Sequence, residues 1–230
     1  MRVYEIKEKV FLLKDINVSD AQSEICKIID QCLARDKKWL EFHEKNKFKN
    51  YCFNSLYPIE NDKVYKSGNI YTVIIRTTDK KLADYINKNL SNEQSENMKC
   101  LVSEIRVLPK KIISKIYTIT PAILKNNTGY WKEETSIEDF ERRLKENAIK
   151  KYNAINNTRI DESFELYNSI EFKNKKPIAM KYKNIKLLGD KISLDIADDR
   201  LSQDIAYMLL GTGILEFNSR GGGFVNFRWL

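Results

Sequence analysis

Apolar positions along the chain alternate between a strand rhythm and a helical one, and this order predicts the elements. Residues 2 to 14 mix β-branched and aromatic residues with charges, as a half-buried strand does. Ser19 and Gln22 fit a capping box that opens a helix with Ile25, Ile28, Ile29, Cys32 and Leu33 on its apolar side. From Lys37 to Asn50 the chain is basic and poorly periodic. Two strands are then expected, Tyr51 to Tyr57, stopped by Pro58, and Ile70 to Thr77, with Asp62 to Gly68 turning between them. Thr78 or Asp79 caps a helix carrying Leu82, Tyr85, Ile86 and Leu90, and Met98 to Leu108 reads as a strand ended by Pro109. The first half therefore spells βαββαβ.

The second half predicts the same order. A strand at Ile112 to Thr120 precedes a helix opened by Thr135 or Ser136, with Ile137, Phe140, Leu144, Ala148 and Tyr152 at helical spacing. Strands follow at Ser163 to Phe172, Ile178 to Leu188 and Lys191 to Ile196. Asp198 or Asp199 caps a last helix with Leu201, Ile205, Met208 and Leu209, which Gly211 stops as the residue beyond its end. A strand at Phe224 to Trp229 closes the chain. The expected domains are residues 1–112 and 113–230, joined near Pro109 to Ser114 without a Gly/Ser linker and hence in a fixed mutual orientation.

Charge narrows the partners. With 40 Lys+Arg against 32 Asp+Glu, the net charge of +8 favours a polyanion. No apolar run is long enough to cross a membrane, and the first residues lack the pattern of a secretion signal, so a cytoplasmic protein is expected. Cys26, Cys32, Cys52 and Cys100 form no CxxC pair, which argues against a zinc site, and His43 is the single histidine. Asp195, Asp198 and Asp199 could be read as metal ligands, but their place before a predicted helix favours capping. No metal and no cofactor are expected.

Two regions concentrate chemistry suited to phosphate. Between residues 211 and 223 lie Gly211, Gly213, Gly221, Gly222 and Gly223, with Arg220 among them. Successive glycines let backbone N–H groups approach an anion and arginine adds a donor fork; a glycine-rich turn between strands fits the same run. It is not a nucleoside triphosphate loop, since no Lys-Ser/Thr and no helix follow. Residues 173 to 191 hold seven lysines, Lys183 among them, against one acid, Asp190, with Tyr182 interleaved. Such a hairpin binds phosphates in a salt-dependent way, or protects a sheet edge from aggregation.

His43 sits in Phe42-His43-Glu44-Lys45-Asn46-Lys47-Phe48-Lys49-Asn50-Tyr51, beside Lys45, Lys47, Lys49 and Tyr51. Cleavage of RNA without metal needs a group that moves a proton near neutrality and a cation to hold charge on the phosphorane. These features together resemble the CRISPR-associated endoribonucleases that process precursor CRISPR RNA: two βαββαβ units, a histidine after the first helix, Lys49 six residues on, a following Tyr-x-Phe-x-x-Leu strand and a glycine-rich loop near the end.

The resemblance implies an α+β fold of two tandem ferredoxin-like domains, binding CRISPR repeat RNA. It implies attack by the RNA 2′-hydroxyl on the adjacent phosphate, leaving a 2′,3′-cyclic phosphate and a 5′-hydroxyl without metal. By position, His43 takes the catalytic histidine's role, Lys49 stabilises phosphate charge, and Lys45 and Lys47 contact RNA. Gly211, Gly213, Arg220, Gly221, Gly222 and Gly223 form the family's loop, touching RNA backbone and packing between domains. Other interference-complex subunits are a further partner class, and the implied state is monomer or homodimer. Some members carry a tyrosine on the first helix, whereas none lies between Asp20 and Leu40 here, and Tyr51 is the substitute. Thr212 and Gly222 stand where the family's glycine motif has hydrophobic residues, and the spacer is longer. The alternative is a non-catalytic RNA-binding subunit of the same fold.

Overall fold

The computed structural model describes residues 1–45, 48–126, 129–182 and 185–230. The first unit runs β1 (Tyr4–Leu12), β2 (Ile16–Asn17), α1 (Val18–Ala34), α2 (Lys37–Glu44), β3 (Tyr51–Phe53), β4 (Val64–Tyr65), β5 (Ile70–Thr77), α3 (Lys80–Asn89) and β6 (Met98–Val107). The second runs β7 (Ile113–Thr118), α4 (Ile137–Asn156), β8 (Tyr167–Phe172), β9 (Ile178–Tyr182), β10 (Ile185–Gly189), β11 (Ile192–Ile196), α5 (Arg200–Thr212) and β12 (Val225–Trp229).

The strands make two four-stranded antiparallel sheets, ordered β3-β5-β1-β6 and β12-β7-β11-β8. In each, the first and third strands of the unit lie at the centre and the second and fourth at the edges. With a helix following the first and third strands, this is the ferredoxin-like arrangement, present twice. Burial drives it: Ile25, Ile28, Ile29, Cys32 and Leu33 of α1 enter one core with Ile6, Val10 and Leu12 of β1, while Phe140, Leu144 and Ala148 of α4 enter a second with Ile192 and Leu194.

Several boundaries differ from the sequence expectation. Lys37–Glu44 is a helix, α2, started by Asp36, whose Oδ1 accepts from the backbone N–H of Lys38 and Trp39. Trp39 is its one buried residue, so eight residues show too little periodicity to announce a helix. The expected strand after it shortens to β3, and Ile178 to Leu188 is a hairpin, β9–β10, rather than one strand. Asn17, not Ser19, stands at the start of α1 and makes no side-chain cap. Gln22 is turned from its expected capping role because its Nε2 donates to the Gly221 carbonyl across the molecule at 2.9 Å. Helix α5 runs through Gly211 to Thr212, with Gly213 as its cap.

The two units are fastened through buried polar contacts. Arg76 of β5, 3% exposed, pairs with Glu5 at 2.8 Å and donates to the Val225 carbonyl at 2.6 Å. The Tyr207 hydroxyl of α5 donates to the Leu108 carbonyl at 2.7 Å and accepts from the Val3 N–H. Val3 and Leu108, at the ends of the first unit, pack in the second core.

Candidate RNA-cleavage site

The residues that meet at the first site come from four segments of the chain. Helix α2 ends at Glu44, so His43 is carried in its last turn, about 22% exposed, and it enters a cleft of about 820 Å3. The cleft's floor is α1, which presents Cys26 and Asp30 one turn apart. Its far wall is the β9–β10 hairpin, held to α1 by Lys181 paired with Asp20 at 2.7 Å and by Ser23 donating to the Lys181 carbonyl. Arg220 comes from the loop after α5.

Asp30 is the hub. Its Oδ2 takes Arg220 Nη1 at 2.7 Å, and its Oδ1 faces His43 Nδ1 at 3.3 Å without meeting hydrogen-bond alignment. Arg220 Nη1 also donates to Cys26 Sγ at 3.0 Å. Burial, then the Asp30 charge, push the Cys26 thiol up to about 11, so it is a neutral acceptor here and no nucleophile. Acids and bases lining the cleft are largely matched: Glu24 pairs Lys27, Asp20 pairs Lys181, Asp30 pairs Arg220.

Lys49 is drawn to the end of α2. Its Nζ donates to the Phe42 carbonyl and, at 2.5 Å, to the Lys45 carbonyl, and it lies 4.8 Å from the Phe42 ring. A lysine on the final carbonyls of a helix satisfies groups the helix cannot and favours its dipole. Burial, then Arg220 and Lys45, lower its ammonium pKa. Lys45 is exposed at the helix cap, and Lys47 lies outside the described residues, as does Lys183.

Tyr51 is 1% exposed in β3, packed in the first core. Burial, then Cys26 and Asp30, push its phenol far up, and its side chain hydrogen-bonds Ser219. It therefore supports the loop from beneath and presents no hydroxyl to the cleft.

All five expected loop glycines are buried, so they do not form an open phosphate cradle. Gly211 lets α5 approach the other unit: a Cβ there would lie 3.2 Å from the Thr77 carbonyl carbon and 3.2 Å from Val3 Cγ1. Gly213 caps α5, and Gly222 sits against the Glu216 and Phe217 carbonyls. Gly221, at φ +89°, would press a Cβ to 2.6 Å from Gln22 Nε2 and 2.8 Å from Phe53. Gly223, at φ +63°, would bring one to 2.1 Å from the Ile214 carbonyl. The loop serves domain packing, and only Glu216, Phe217, Ser219 and Arg220 of residues 211–223 reach the surface in part.

Two residues of the site escape a reading of motifs. Lys151 of α4 is 4% exposed, with Nζ 2.9, 2.7 and 2.6 Å from Gly213 O, Leu215 O and Asn218 Oδ1. Burial lowers its pKa to about 7, while three acceptors match the three N–H groups of the ammonium form. It ties the loop's inner turn to α4. The available signal is its position, three residues beyond Ala148 and seven beyond Leu144, on the apolar stripe. Asp30 had a weaker one, four residues after Cys26 on α1.

Two tandem ferredoxin-like domains thus hold a histidine-bearing cleft at a glycine-rich loop wedged between them. The family model described as CRISPR associated protein Cas6, C-terminal, matches residues 106–227, just over half of the chain, which therefore belongs to the Cas6 family. A curated relative, CRISPR-associated endoribonuclease Cas6 2 of Methanocaldococcus jannaschii, is 24% identical over 212 residues, 84% of this chain and 87% of the relative. Among solved structures, one titled CRISPR associated protein Cas6 aligns with a TM-score of 0.73 at 20% identity, covering 98% of this chain and 99% of that one. A second, titled as a RAMP protein binding different RNA substrates, aligns at 0.75 with 16% identity over 98% and 99%.

Proposed function

We infer that the chain is an endoribonuclease that cleaves CRISPR repeat RNA in precursor transcripts, with His43 as the proton-transfer group. Family membership supports the activity, and the observation that carries the site is the placement of His43 in the cleft against Asp30, beside Arg220. A carboxylate at Nδ1 selects the tautomer with its proton there, which leaves Nε2 free to take a proton from the 2′-hydroxyl or, once charged, to give one to the leaving 5′-oxygen. The reaction closes a 2′,3′-cyclic phosphate as the P–O5′ bond breaks, and the proton removed from the 2′-hydroxyl balances the one received by the 5′-oxygen.

Asp30 is the residue of α1 that faces the histidine, on the helix where some of the resembling proteins carry a tyrosine. Arg220 is the cleft cation that shares Asp30 with His43, able to turn its remaining N–H groups to a phosphate. Lys49 acts through the last turn of α2, which it fixes, and not from the lining of the cleft. Tyr51 is assigned to support of the loop. Lys45 and, by sequence position, Lys47 contribute charge along the RNA path.

The test is incubation of the purified protein in excess EDTA with its own repeat RNA, beside a copy bearing a 2′-deoxy substitution at the cut. Cleavage of the first to a cyclic phosphate, with none of the second, is expected. Binding without cleavage would instead select the non-catalytic subunit.

A further inference from the structure

On the other side of the loop tip from the His43 cleft lies a second concavity, of about 370 Å3. Ser219 lines it while its neighbour Arg220 lines the first, and Lys49, fixed to the end of the His43 helix, lines it as well. A strand of RNA whose phosphate lies at Arg220 and His43 therefore has this hollow within reach of a neighbouring nucleotide.

Three features of the hollow have no role in the fold or in the proton transfer. Phe48 is 38% exposed, with its ring 5.4 Å from the Lys151 ammonium, although the other aromatic residues of that end of the molecule are covered more deeply. The Asn147 Oδ1 atom is buried and accepts no hydrogen bond among the described residues. Lys125 brings a cation to the rim. An exposed aromatic face stacks on a base of any kind, an unpartnered carboxamide can pair with a base edge, and cations hold the adjoining phosphate. A buried acceptor left unpaired is costly, and a ligand that supplies the missing donor removes that cost.

We propose that this concavity is a nucleotide subsite that takes one unpaired base of the RNA next to the cleaved phosphate, stacked on Phe48 and read along its edge by Asn147. It deepens the endoribonuclease reading and rests on it. A carboxamide oxygen accepts while its nitrogen donates, so it pairs with the adjacent donor and acceptor on a base edge, and the order of those two groups is what Asn147 reads.

The experiment is an abasic scan of the repeat, one position at a time, measured for binding and single-turnover cleavage by the wild-type protein, Phe48→Ala and Asn147→Leu. At one position beside the cut, loss of the base weakens wild-type binding by about tenfold, and Phe48→Ala binds the intact and abasic RNAs equally. At that same position Asn147→Leu flattens the wild type's ranking of the four bases while keeping the abasic penalty. If the wild type cleaves the repeat but no position couples to either side chain, the subsite is overturned and the endoribonuclease reading stands. If the wild type neither binds nor cleaves the repeat, that reading fails and the subsite with it.

Discussion

Arg220 and Asp30, 190 positions apart in the sequence, meet at 2.7 Å in the cleft, and the same carboxylate faces His43. A cation meant for phosphate is thus held in place by an acid, and removing it uncovers a negative charge where RNA must lie. Arg220→Ala should weaken repeat binding by about tenfold and make its salt dependence shallower by about one unit of slope. Adding Asp30→Asn should recover part of the affinity, because the uncovered charge is gone. Equal affinities of the single and double variants, from filter binding over a salt series, would show that the pair does not act on RNA.

His43→Ala should slow single-turnover cleavage by about 10² to 10⁴-fold with repeat affinity within about twofold, since a lost proton-transfer group is a barrier effect. Asp30→Asn should slow cleavage less, by about tenfold, through the ring's tautomer and orientation. With one histidine in the chain, ring-nitrogen NMR reads this directly: proton on Nδ1 in the wild type, a mixture of tautomers in the variant. The same tautomer population in both proteins would separate Asp30 from His43.

Lys151 gives stability a pH dependence of predictable sign. The unfolded chain keeps that proton to the ordinary lysine value of 10.5, whereas burial brings the folded group to about 7. Between those limits unfolding takes up a proton, so the wild type gains stability with rising pH relative to Lys151→Met, and below about 7 the difference is flat. At neutral pH the variant should itself be less stable by about 2 kcal/mol or more, because Gly213 O, Leu215 O and Asn218 Oδ1 lose their donor. Urea unfolding of both proteins across that range is the check.

Gly223→Ala should cost several times more than Gly68→Ala. Both residues have positive φ, but a Cβ at Gly68 meets nothing within 4 Å, whereas at Gly223 it meets the Ile214 carbonyl at 2.1 Å. About 1 kcal/mol is expected for Gly68 from backbone strain alone. Thermal unfolding in which the two variants shift alike would mean that the loop relaxes freely and is not the packed wedge seen here.

The sequence by itself determined the two βαββαβ units, because buried strands and amphipathic helices leave periods of two and about 3.6 that need no partner to be read. It also picked His43, as the single imidazole in a basic segment, and located the glycine-rich loop. Only the tertiary structure decided what those residues touch. Helix α2 exists because Asp36 caps it and Trp39 finds the first core, neither of which a periodicity over eight residues reveals. Tyr51 is the weakest of the candidates because β3 places it inside that core. The loop glycines are packing elements because Gln22, Phe53 and Val3 approach them from the other unit, and Arg220 is a paired cation because Asp30 lies across the cleft. Such contacts join positions far apart in the chain, and a one-dimensional pattern carries no record of which distant side chains share a space.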